Sequence, residues 1–161
     1  MAVTVTLQNS DQVAIVDDKD LELVNQYKWY LTNKGYVYTQ PYLGNYKHGS
    51  LMMHRLINKT PDGMFTDHIN HNKLDNRKSN LRICTNQQNS MNRNSHKNSS
   101  SKFKGVSWHP RDKKWQVEIE IAGKRFYLGM YTNEIEAAKA YDKQATELHG
   151  EFARLNFEEG K

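Results

Sequence analysis

Apolar residues alternate with polar ones most regularly in the last third of this chain. Three runs, Lys104–Trp108, Lys114–Ile121 and Lys124–Met130, have the composition of strands and are separated by turn-forming residues. In the second run, Val117, Ile119 and Ile121 occupy every other position. Because successive side chains of a strand point to opposite faces, this pattern predicts a three-stranded antiparallel sheet with one buried and one polar face.

A helical spacing follows these strands. The predicted helix is capped by Thr132 and ends at Gly150. Its apolar stripe consists of Ile135, Ala138, Tyr141, Ala145 and Leu148. The outer side of this helix is acidic on balance, so we expect the helix to face solvent. The polar face of the sheet is therefore the candidate binding surface.

Shorter patterns occupy the first sixty residues. They predict a strand, a short helix entered through an Asp cap, a strand pair and a further apolar stretch: Gln12–Val16, Leu21–Tyr27 after Asp17 and Asp18, Lys28–Leu31 with Gly35–Thr39, and Leu51–Ile57. A Pro-Asp-Gly turn follows at 61–63. The pattern of Met1–Ser50 indicates no chemical role.

The segment between these two regions is rich in Asp, His and Asn and poor in large apolar residues. Asp67 and His68 are adjacent, so they can share a site only if their strand ends there, and the turn-forming residues at 70–72 favour such an end. A returning strand is predicted at Ser79–Ile83. Thr85–Gln88 has the form of a capping box that would begin a helix with Asn89 in its first turn. The predicted order is strand, loop, strand, helix.

A polar linker separates this segment from the last third. The ten residues 92–101 include no apolar residue. We therefore predict an α+β protein with one small domain at 1–93, divided into 1–50 and 51–93, a linker at 94–102, and a sheet-and-helix domain at 103–157.

The positive charge of the chain is concentrated in one stretch. The whole chain of 161 residues has a net charge of +5, but residues 51–125 hold 15 Lys and Arg against six Asp and Glu. Both flanking regions are slightly acidic. A basic stretch interleaved with aromatic and amide side chains fits a nucleic-acid backbone, because cations bind phosphates and amides bond base edges. The alternative is a solvated basic surface.

Other compositional features exclude several classes of protein. No apolar run is long enough to span a membrane, and Met1–Ser10 does not have the pattern of a signal peptide, which predicts a cytoplasmic protein with no membrane partner. Cys84 is the only cysteine, which excludes disulfides and Cys-based zinc fingers. We expect it to be a core residue.

Two groups of motifs resemble known families. The strings DHIN, SNLR and TNQQN, in this order within 51–93, resemble the HNH endonucleases of the phage and homing type, which have a ββα-metal site. AIVDDKD and YKWYL in the first fifty residues are similar to the N-terminal part of such nucleases. FKGV, RFYLG, EAAKAYD and LNF within 103–157 resemble the Apetala-two/ethylene-response-factor DNA-binding domain.

The first resemblance implies a role for each polar residue of the motif. His68 would be the general base that takes a proton from water, and the side-chain carbonyl of Asn80 would hold it in the reactive tautomer. Asp67 and Asn89 would be the ligands of one divalent cation. Since one carboxylate is a sparse ligand set, Mg²⁺ or Mn²⁺ is a more natural ion than zinc. The implied products carry 5′-phosphate and 3′-hydroxyl ends.

Three further residues are candidates for this site. His54 and Asn76 are possible supporting residues, although an isolated His in an apolar stretch is usually structural and Asn76 could merely form an Asx turn. His71 is an alternative base, but its position within the turn argues against it.

The basic stretch supplies the predicted DNA contacts. Those in and after the nuclease motif are Arg77, Lys78, Arg82, Arg93, Lys97 and Lys102, with a solvated basic face as the alternative. Those that the second resemblance implies, on the sheet and its first turn, are Lys104, Ser107, Trp108, His109, Arg111, Lys113, Glu118, Glu120, Arg125 and Tyr127. Ser107, His109 and Glu120 stand where plant members have Arg, so the plant recognition sequence does not transfer. Trp108 either stacks on a sugar or packs locally.

These features together predict a metal-dependent HNH endonuclease that cuts duplex DNA with its middle part and anchors with its C-terminal sheet. One centre in a monomer or weak dimer would nick one strand, and no small-molecule substrate is expected. The alternative is a catalytically inactive DNA-binding regulator that uses the HNH segment as a scaffold. Cleavage of RNA is a third possibility.

Overall fold

The structure is a computed structural model that describes residues 1–41, 49–92 and 99–157. The chain forms two compact units, Met1–Thr85 and Asn86–Lys161. Each unit combines helices with antiparallel sheets, so the predicted α+β class is confirmed. No helix within the described ranges is long and apolar enough to cross a membrane.

Within its described residues, the first unit has three small antiparallel sheets and two short helices. In chain order its elements are β1 (Ala2–Leu7), β2 (Ser10–Asp17), α1 (Leu21–Val24), β3 (Tyr30–Leu31), β4 (Val37–Thr39), β5 (Leu51–Met52), α2 (Met53–Asn58), β6 (Phe65–His68) and β7 (Leu81–Cys84). The sheets are β1–β2, β3–β4–β5 and β6–β7. The hydrophobic core of this unit includes Trp29, Met53 and Ile57, all of which are fully buried.

Several elements of this unit differ from those that the sequence predicts. The strand pair is confirmed, but only Tyr30–Leu31 and Val37–Thr39 form ladders. The apolar stretch at 51–57 is mostly helix α2, which ends where Lys59 adopts a left-handed backbone with φ 48°. Strand β1 has no counterpart among the predicted elements. It pairs with β2 and contributes Val5 and Leu7 to the core.

The predicted Asp cap of the helix that begins near residue 18 is wrong. Neither Asp17, which precedes a short 3₁₀ turn, nor Asp20, which precedes α1, caps with its side chain. Instead Asp17 Oδ2 accepts from the backbone N–H of Lys78 at 2.9 Å, and Asp20 Oδ1 pairs with the Lys78 ammonium at 2.5 Å. Asp17 and Asp20 therefore form tertiary contacts with Lys78 instead of capping the helix.

The second unit places one long helix against one sheet. Its elements are α3 (Asn86–Met91), β8 (Val106–His109), β9 (Lys114–Ile121), β10 (Lys124–Tyr131) and α4 (Glu134–His149). The strands form a meander in the order β8–β9–β10. Val117 and Ile119 from β9 are buried against Tyr141 of α4, as the alternating pattern predicts.

Two details of α4 differ from the prediction. Its N-cap is Asn133 rather than Thr132, since Asn133 Oδ1 accepts from the N–H groups of Ile135 and Glu136. Ile135 and Leu148, predicted on the buried stripe, are 51% and 46% exposed, while the buried positions are Ala137, Ala138, Tyr141, Ala145 and His149. The helix ends at Gly150, as predicted.

Candidate active site and nucleic-acid interface

The hairpin of β6 and β7 brings the two central residues of the nuclease motif to one end of a ladder. Asp67 pairs with Arg82 and His68 pairs with Leu81, and β6 ends at His68. Asp67 and His68 are 8% and 4% exposed. The strand therefore ends at the position that lets both side chains belong to one site.

The loop that follows His68 is held by side-chain amides. Asn80 Oδ1 accepts from the backbone N–H of Asn70 at 2.9 Å, and Asn80 Nδ2 donates to the backbone carbonyl of Asp75 at 2.7 Å. Asn70 Nδ2 in turn donates to Asp75 Oδ2 at 2.9 Å. Because Asn80 bonds both ends of the loop, its geometry is that of a residue that positions the loop. Its predicted contact with His68 stays a prediction.

His68 is oriented by Asn76, which sequence interpretation treated only as a possible support. The Nδ2 group of Asn76, which is fully buried, donates to the backbone carbonyls of Lys73 and Leu74 at 3.4 and 3.1 Å. Its Oδ1 therefore faces His68 Nε2, at 3.3 Å, and accepts from it. This hydrogen bond makes Nε2 the protonated nitrogen and Nδ1 the basic one.

The protonation of His68 is set by opposing influences. Burial lowers the pKa of the imidazole, and this effect outweighs the hydrogen bond to Asn76 and the charges of Asp67 and Asp75, which raise it. The positive charge of Lys73 lowers the pKa further. The neutral form, which is the form that accepts a proton, is thereby favoured.

His54 and Tyr36 form an aromatic wall beside His68. The ring of His54, on α2, lies 5.1 Å from the ring of His68 in an edge-on arrangement. The ring of Tyr36 is 5.5 Å from His54 and 6.2 Å from His68. Burial lowers the pKa of His54 to about 3, helped by the charges of His68 and Arg55. His54 is thus a neutral neighbour of His68, and its supporting role in the reaction remains a prediction.

Asp67, the predicted metal ligand, is paired with a cation. Arg82 Nε and one terminal nitrogen donate to Asp67 Oδ2 at 3.0 and 2.7 Å, and both side chains are about one-tenth exposed. A carboxylate is a donor that fits a hard ion such as Mg²⁺ or Mn²⁺. No group of three or more His, Cys, Asp or Glu side chains that could hold an ion occurs within the described ranges.

Asn89 lies in α3, which belongs to the second unit. Its side chain is partly buried. The assignment of Asn89 as the second oxygen ligand remains a prediction that follows from the family resemblance.

The predicted phosphate contacts near this site all have acidic partners. Arg77 donates to both carboxylate oxygens of Asp75 at 2.8 and 2.7 Å, which holds the pKa of Asp75 below its usual range. Lys78 pairs with Asp20, and Arg82 pairs with Asp67. Their charges are therefore at least partly neutralised within the unit, and their contact with phosphate remains a prediction.

Sequence reasoning missed Lys73 and Tyr36. The ammonium of Lys73 lies 4.2 Å from the centre of the Tyr36 ring and donates to the carbonyl of Lys34 at 2.8 Å. A lysine within the loop that follows the Asp-His pair was a signal in the sequence. The tyrosine gave no signal, because it is 32 residues from His68 along the chain.

The N-terminal hairpin, for which the sequence indicated no role, holds the loop that follows His68 through backbone hydrogen bonds. Ile15 in β2 donates its N–H to the carbonyl of Leu74 and accepts from the N–H of Asn76, both at 2.7 Å. The adjacent Asp75 forms a parallel bridge with Ile15. The strand thereby fixes the backbone on both sides of Asn76, whose side chain orients His68.

In the second unit, the sheet carries most of the predicted DNA contacts on one face. Glu118 is opposite Tyr127 and Glu120 is opposite Arg125, and paired residues share a face. By the same register Ser107 and His109 lie on this face, which is opposite to the one that packs on α4. These six side chains therefore share one face of the sheet, and their contact with DNA stays a prediction.

Several of these residues line a concave part of the unit. The cavity has a volume of about 880 Å³. Five of the predicted DNA contacts are among the residues that line it: Lys104, Ser107, Glu118, Glu120 and Arg125. The ammonium of Lys104 donates to the carbonyl of Met91, and burial lowers its pKa to about 8, with a further contribution from Arg154. Lys104 is therefore held by its own unit rather than extended from it.

The remaining predicted DNA contacts that the structure describes differ from one another in packing and exposure. Trp108 packs edge-on against Trp115, with ring centres 5.0 Å apart, and remains 39% exposed, so its stacking on a sugar stays a prediction. Lys102, Arg111 and Lys113 are exposed. Arg93 and Lys97 lie outside the described residues.

Comparison with known proteins yields two domain matches. Residues 59–91 match the family model of the HNH endonuclease, and residues 101–151 match that of the AP2 domain. Both predicted resemblances are thereby confirmed.

Individual relatives come from viruses and plants. A protein of Acanthamoeba polyphaga mimivirus named as an uncharacterized HNH endonuclease is 37% identical over 140 residues, which make up 83% of this chain and 69% of that protein. Protein 3.8 of Escherichia phage T7 is 32% identical over 95 residues, or 59% of this chain and 78% of that protein. APETALA2-like protein 2 of Oryza sativa is 43% identical over 61 residues, 37% of this chain and 14% of that protein.

Proposed function

Since the chain belongs to the HNH endonuclease family and also carries an AP2 DNA-binding domain, we propose that it is a divalent-metal-dependent enzyme that nicks duplex DNA. The first unit would cut, and the sheet of the second unit would anchor the protein on the double helix. The homing character implied by the sequence motifs stays a prediction.

The observation that carries this proposal is the setting of His68. It is buried at the end of β6 beside Asp67, its Nε2–H donates to Asn76, and its pKa is lowered, which leaves Nδ1 as a base in the neutral state. A neutral imidazole in this position suits removal of a proton from the water that attacks phosphorus. The proton then resides on Nδ1, where the charges of Asp67 and Asp75 stabilise it.

Asp67 would be a ligand of the ion, with Asn89 as the predicted second one. A bound Mg²⁺ or Mn²⁺ supplies positive charge that stabilises the pentavalent phosphorus and the leaving 3′ oxygen. Arg82 would have to share Asp67 with this ion or release it. A single centre of this kind cuts one strand at a time, which is why we propose nicking by a monomer or weak dimer.

The first experiment measures conversion of supercoiled plasmid to the open-circular form with Mg²⁺, with Mn²⁺ and with EDTA. The wild type should nick with a metal and be inactive in EDTA, and His68→Ala should be at least 100-fold slower, since general base catalysis contributes about 10²–10⁴-fold. His71→Ala is the matched control, because His71 is the alternative base three residues away. Cleavage by His68→Ala at the wild-type rate would refute the assignment.

A second experiment tests the anchoring sheet. Arg125 is exposed on the sheet face that lies opposite α4. Arg125→Gln should weaken binding to duplex DNA and reduce the salt dependence of log Kd by about 0.9, the value of one phosphate contact. Lys139→Gln, on an exposed position of α4, is the charge-matched control and should bind as the wild type does.

These experiments also separate the alternatives. A wild-type protein that binds duplex DNA but never nicks it would favour the regulator, with the HNH segment as a scaffold. Preferential cleavage of single-stranded or structured RNA in a parallel assay would favour a ribonuclease.

A further inference from the structure

Four cations occur in the segment 69–82, and three of them face carboxylates. Arg77 pairs with Asp75, Lys78 with Asp20 and Arg82 with Asp67. Lys73 differs from them, because no carboxylate of the described residues lies within ion-pair distance of its ammonium. Lys73 is therefore the cation of this segment whose charge is not neutralised by a described acidic side chain.

The ammonium of Lys73 is nevertheless held in place. It lies over the Tyr36 ring at 4.2 Å and donates to the carbonyl of Lys34 at 2.8 Å. Both partners belong to the turn between β3 and β4. An ammonium above an aromatic face keeps its full charge, and it loses less conformational freedom on binding than a lysine that moves freely in solvent.

The same tyrosine places this charge beside the proposed general base. The ring of Tyr36 contacts the His68 ring, with centres 6.2 Å apart. The backbone carbonyl of Lys73 also accepts from Asn76, the residue that orients His68. Lys73 is thus tied to His68 through both Tyr36 and Asn76.

From these contacts we propose that Lys73 binds a non-bridging oxygen of a phosphate next to the cleaved bond, and that Tyr36 is the positioning residue that presents it. The assignment rests on the proposed nuclease function and adds a substrate contact to it. A phosphodiester carries one negative charge and accepts hydrogen bonds, which matches an ammonium with remaining N–H donors. Arg77, Lys78 and Arg82, which the sequence favours, already pair with carboxylates that offset part of their charge.

The test uses the full chain and a duplex oligonucleotide that contains a nick position mapped on plasmid DNA. Lys73→Gln should lower kcat/KM by about 10- to 100-fold, the loss typical of one charged hydrogen bond. Lys73→Arg should recover most of the activity, and Tyr36→Leu should give a smaller loss. Lys19→Gln is the matched control, because Lys19 is an exposed lysine of the same unit.

A neutral-phosphate scan separates substrate contact from a structural role. Single methylphosphonates are placed at each position near the nick. In the wild type, a methylphosphonate at one position should lower the activity by about as much as Lys73→Gln does. At that position, the same methylphosphonate should lower the activity of the Lys73→Gln variant little further. The salt dependence of log Kd should also fall by about 0.9 in Lys73→Gln.

The outcomes distinguish this inference from the function on which it rests. If the wild type nicks and Lys73→Gln is within twofold of it, Lys73 is not a substrate contact and the nuclease assignment stands. The same conclusion follows if every methylphosphonate costs the variant as much as it costs the wild type, a comparison that remains valid if the variant is less stable. If the wild type does not cleave DNA, both proposals fail.

Discussion

Arg82 lies directly opposite Asp67 in the β6–β7 ladder and donates two hydrogen bonds to the same carboxylate oxygen, Oδ2. The pair is largely buried, and each charge helps to compensate the other. Asp67 is also the carboxylate that the family resemblance assigns to the metal. The guanidinium therefore occupies the position of positive charge that an ion would take or share.

Replacing Arg82 should expose this relationship. Arg82→Met removes the cation that pairs with the buried Asp67 carboxylate, which should lower the free energy of unfolding by about 3 kcal/mol. Mg²⁺ should then raise the Tm of the variant more than that of the wild type, because the ion replaces the lost charge. Thermal unfolding with and without Mg²⁺ measures both effects. The double variant Asp67→Asn with Arg82→Met is the control and should lose the extra response to Mg²⁺; an equal response would contradict the shared site.

The buried imidazole of His54 should make stability depend on pH. Its pKa is about 3 in the folded protein and about 6.5 in an unfolded chain, so the unfolded state binds a proton first as the pH falls. The stability contributed by the neutral form is complete above pH 6.5 and is lost as the pH falls towards 3. At pH 5 the loss from this residue is about 2 kcal/mol.

Urea unfolding at pH 7.5 and pH 5 checks this expectation. His54→Phe retains a buried ring but has no titrating group, so its free energy of unfolding should fall less than that of the wild type between the two pH values. An identical fall in both proteins would mean that His54 does not titrate from a buried neutral state.

The ion pair between Lys78 and Asp20 should matter for cleavage through the position of the loop. Asp20→Asn removes the carboxylate and leaves the lysine charge, whereas Lys78→Met removes the lysine. If the pair anchors the loop, both variants should slow plasmid nicking by several-fold and leave the salt dependence of DNA binding unchanged. A reduced salt dependence in Lys78→Met alone would show instead that Lys78 contacts phosphate.

Gly105 should be indispensable for the second unit. Its φ is 75°, and a Cβ at this position would lie 2.0 Å from the Tyr141 ring and 2.7 Å from the carbonyl oxygen of Glu118. Gly105→Ala should therefore separate α4 from the sheet and abolish binding to duplex DNA. Gly123→Ala is the matched control, since its φ is 76° with no atom within 4 Å, and it should cost about 1 kcal/mol. Near-ultraviolet circular dichroism and DNA binding measure the difference.

The sequence predicted the second unit better than the first. Strand β9 and the end of α4 at Gly150 follow from patterns within a few residues: alternation, and a glycine with a positive φ. The cap at Asn133 was missed because neighbouring Thr132 is an equally good capping residue. In the first unit, β1 was missed although its sequence AVTVTL alternates as a strand does, with Val5 and Leu7 on the buried face.

The candidate site was predicted in its residues and not in its contacts. The spacing and family resemblance singled out Asp67, His68 and Asn80, all of which are buried around the β6–β7 hairpin. The hydrogen bond between His68 and Asn76 was not predictable, because Asn76 and Asn80 have the same chemistry. The different positions of Asn76 and Asn80 depend on the path of a loop. The backbone of Ile15, some sixty residues earlier in the chain, holds this loop.

By itself, the sequence determined the α+β class and the two families, because these depend on short-range periodicity and on residue types at fixed spacing. Only the tertiary structure decided which charges are neutralised. Asp20, Asp67 and Asp75 pair with three of the four cations in the segment 69–82. The fourth, Lys73, lies over the Tyr36 ring. The physical reason is that an ion pair or a cation–aromatic contact requires a few ångströms of separation, and the fold alone brings residues distant in sequence within that range.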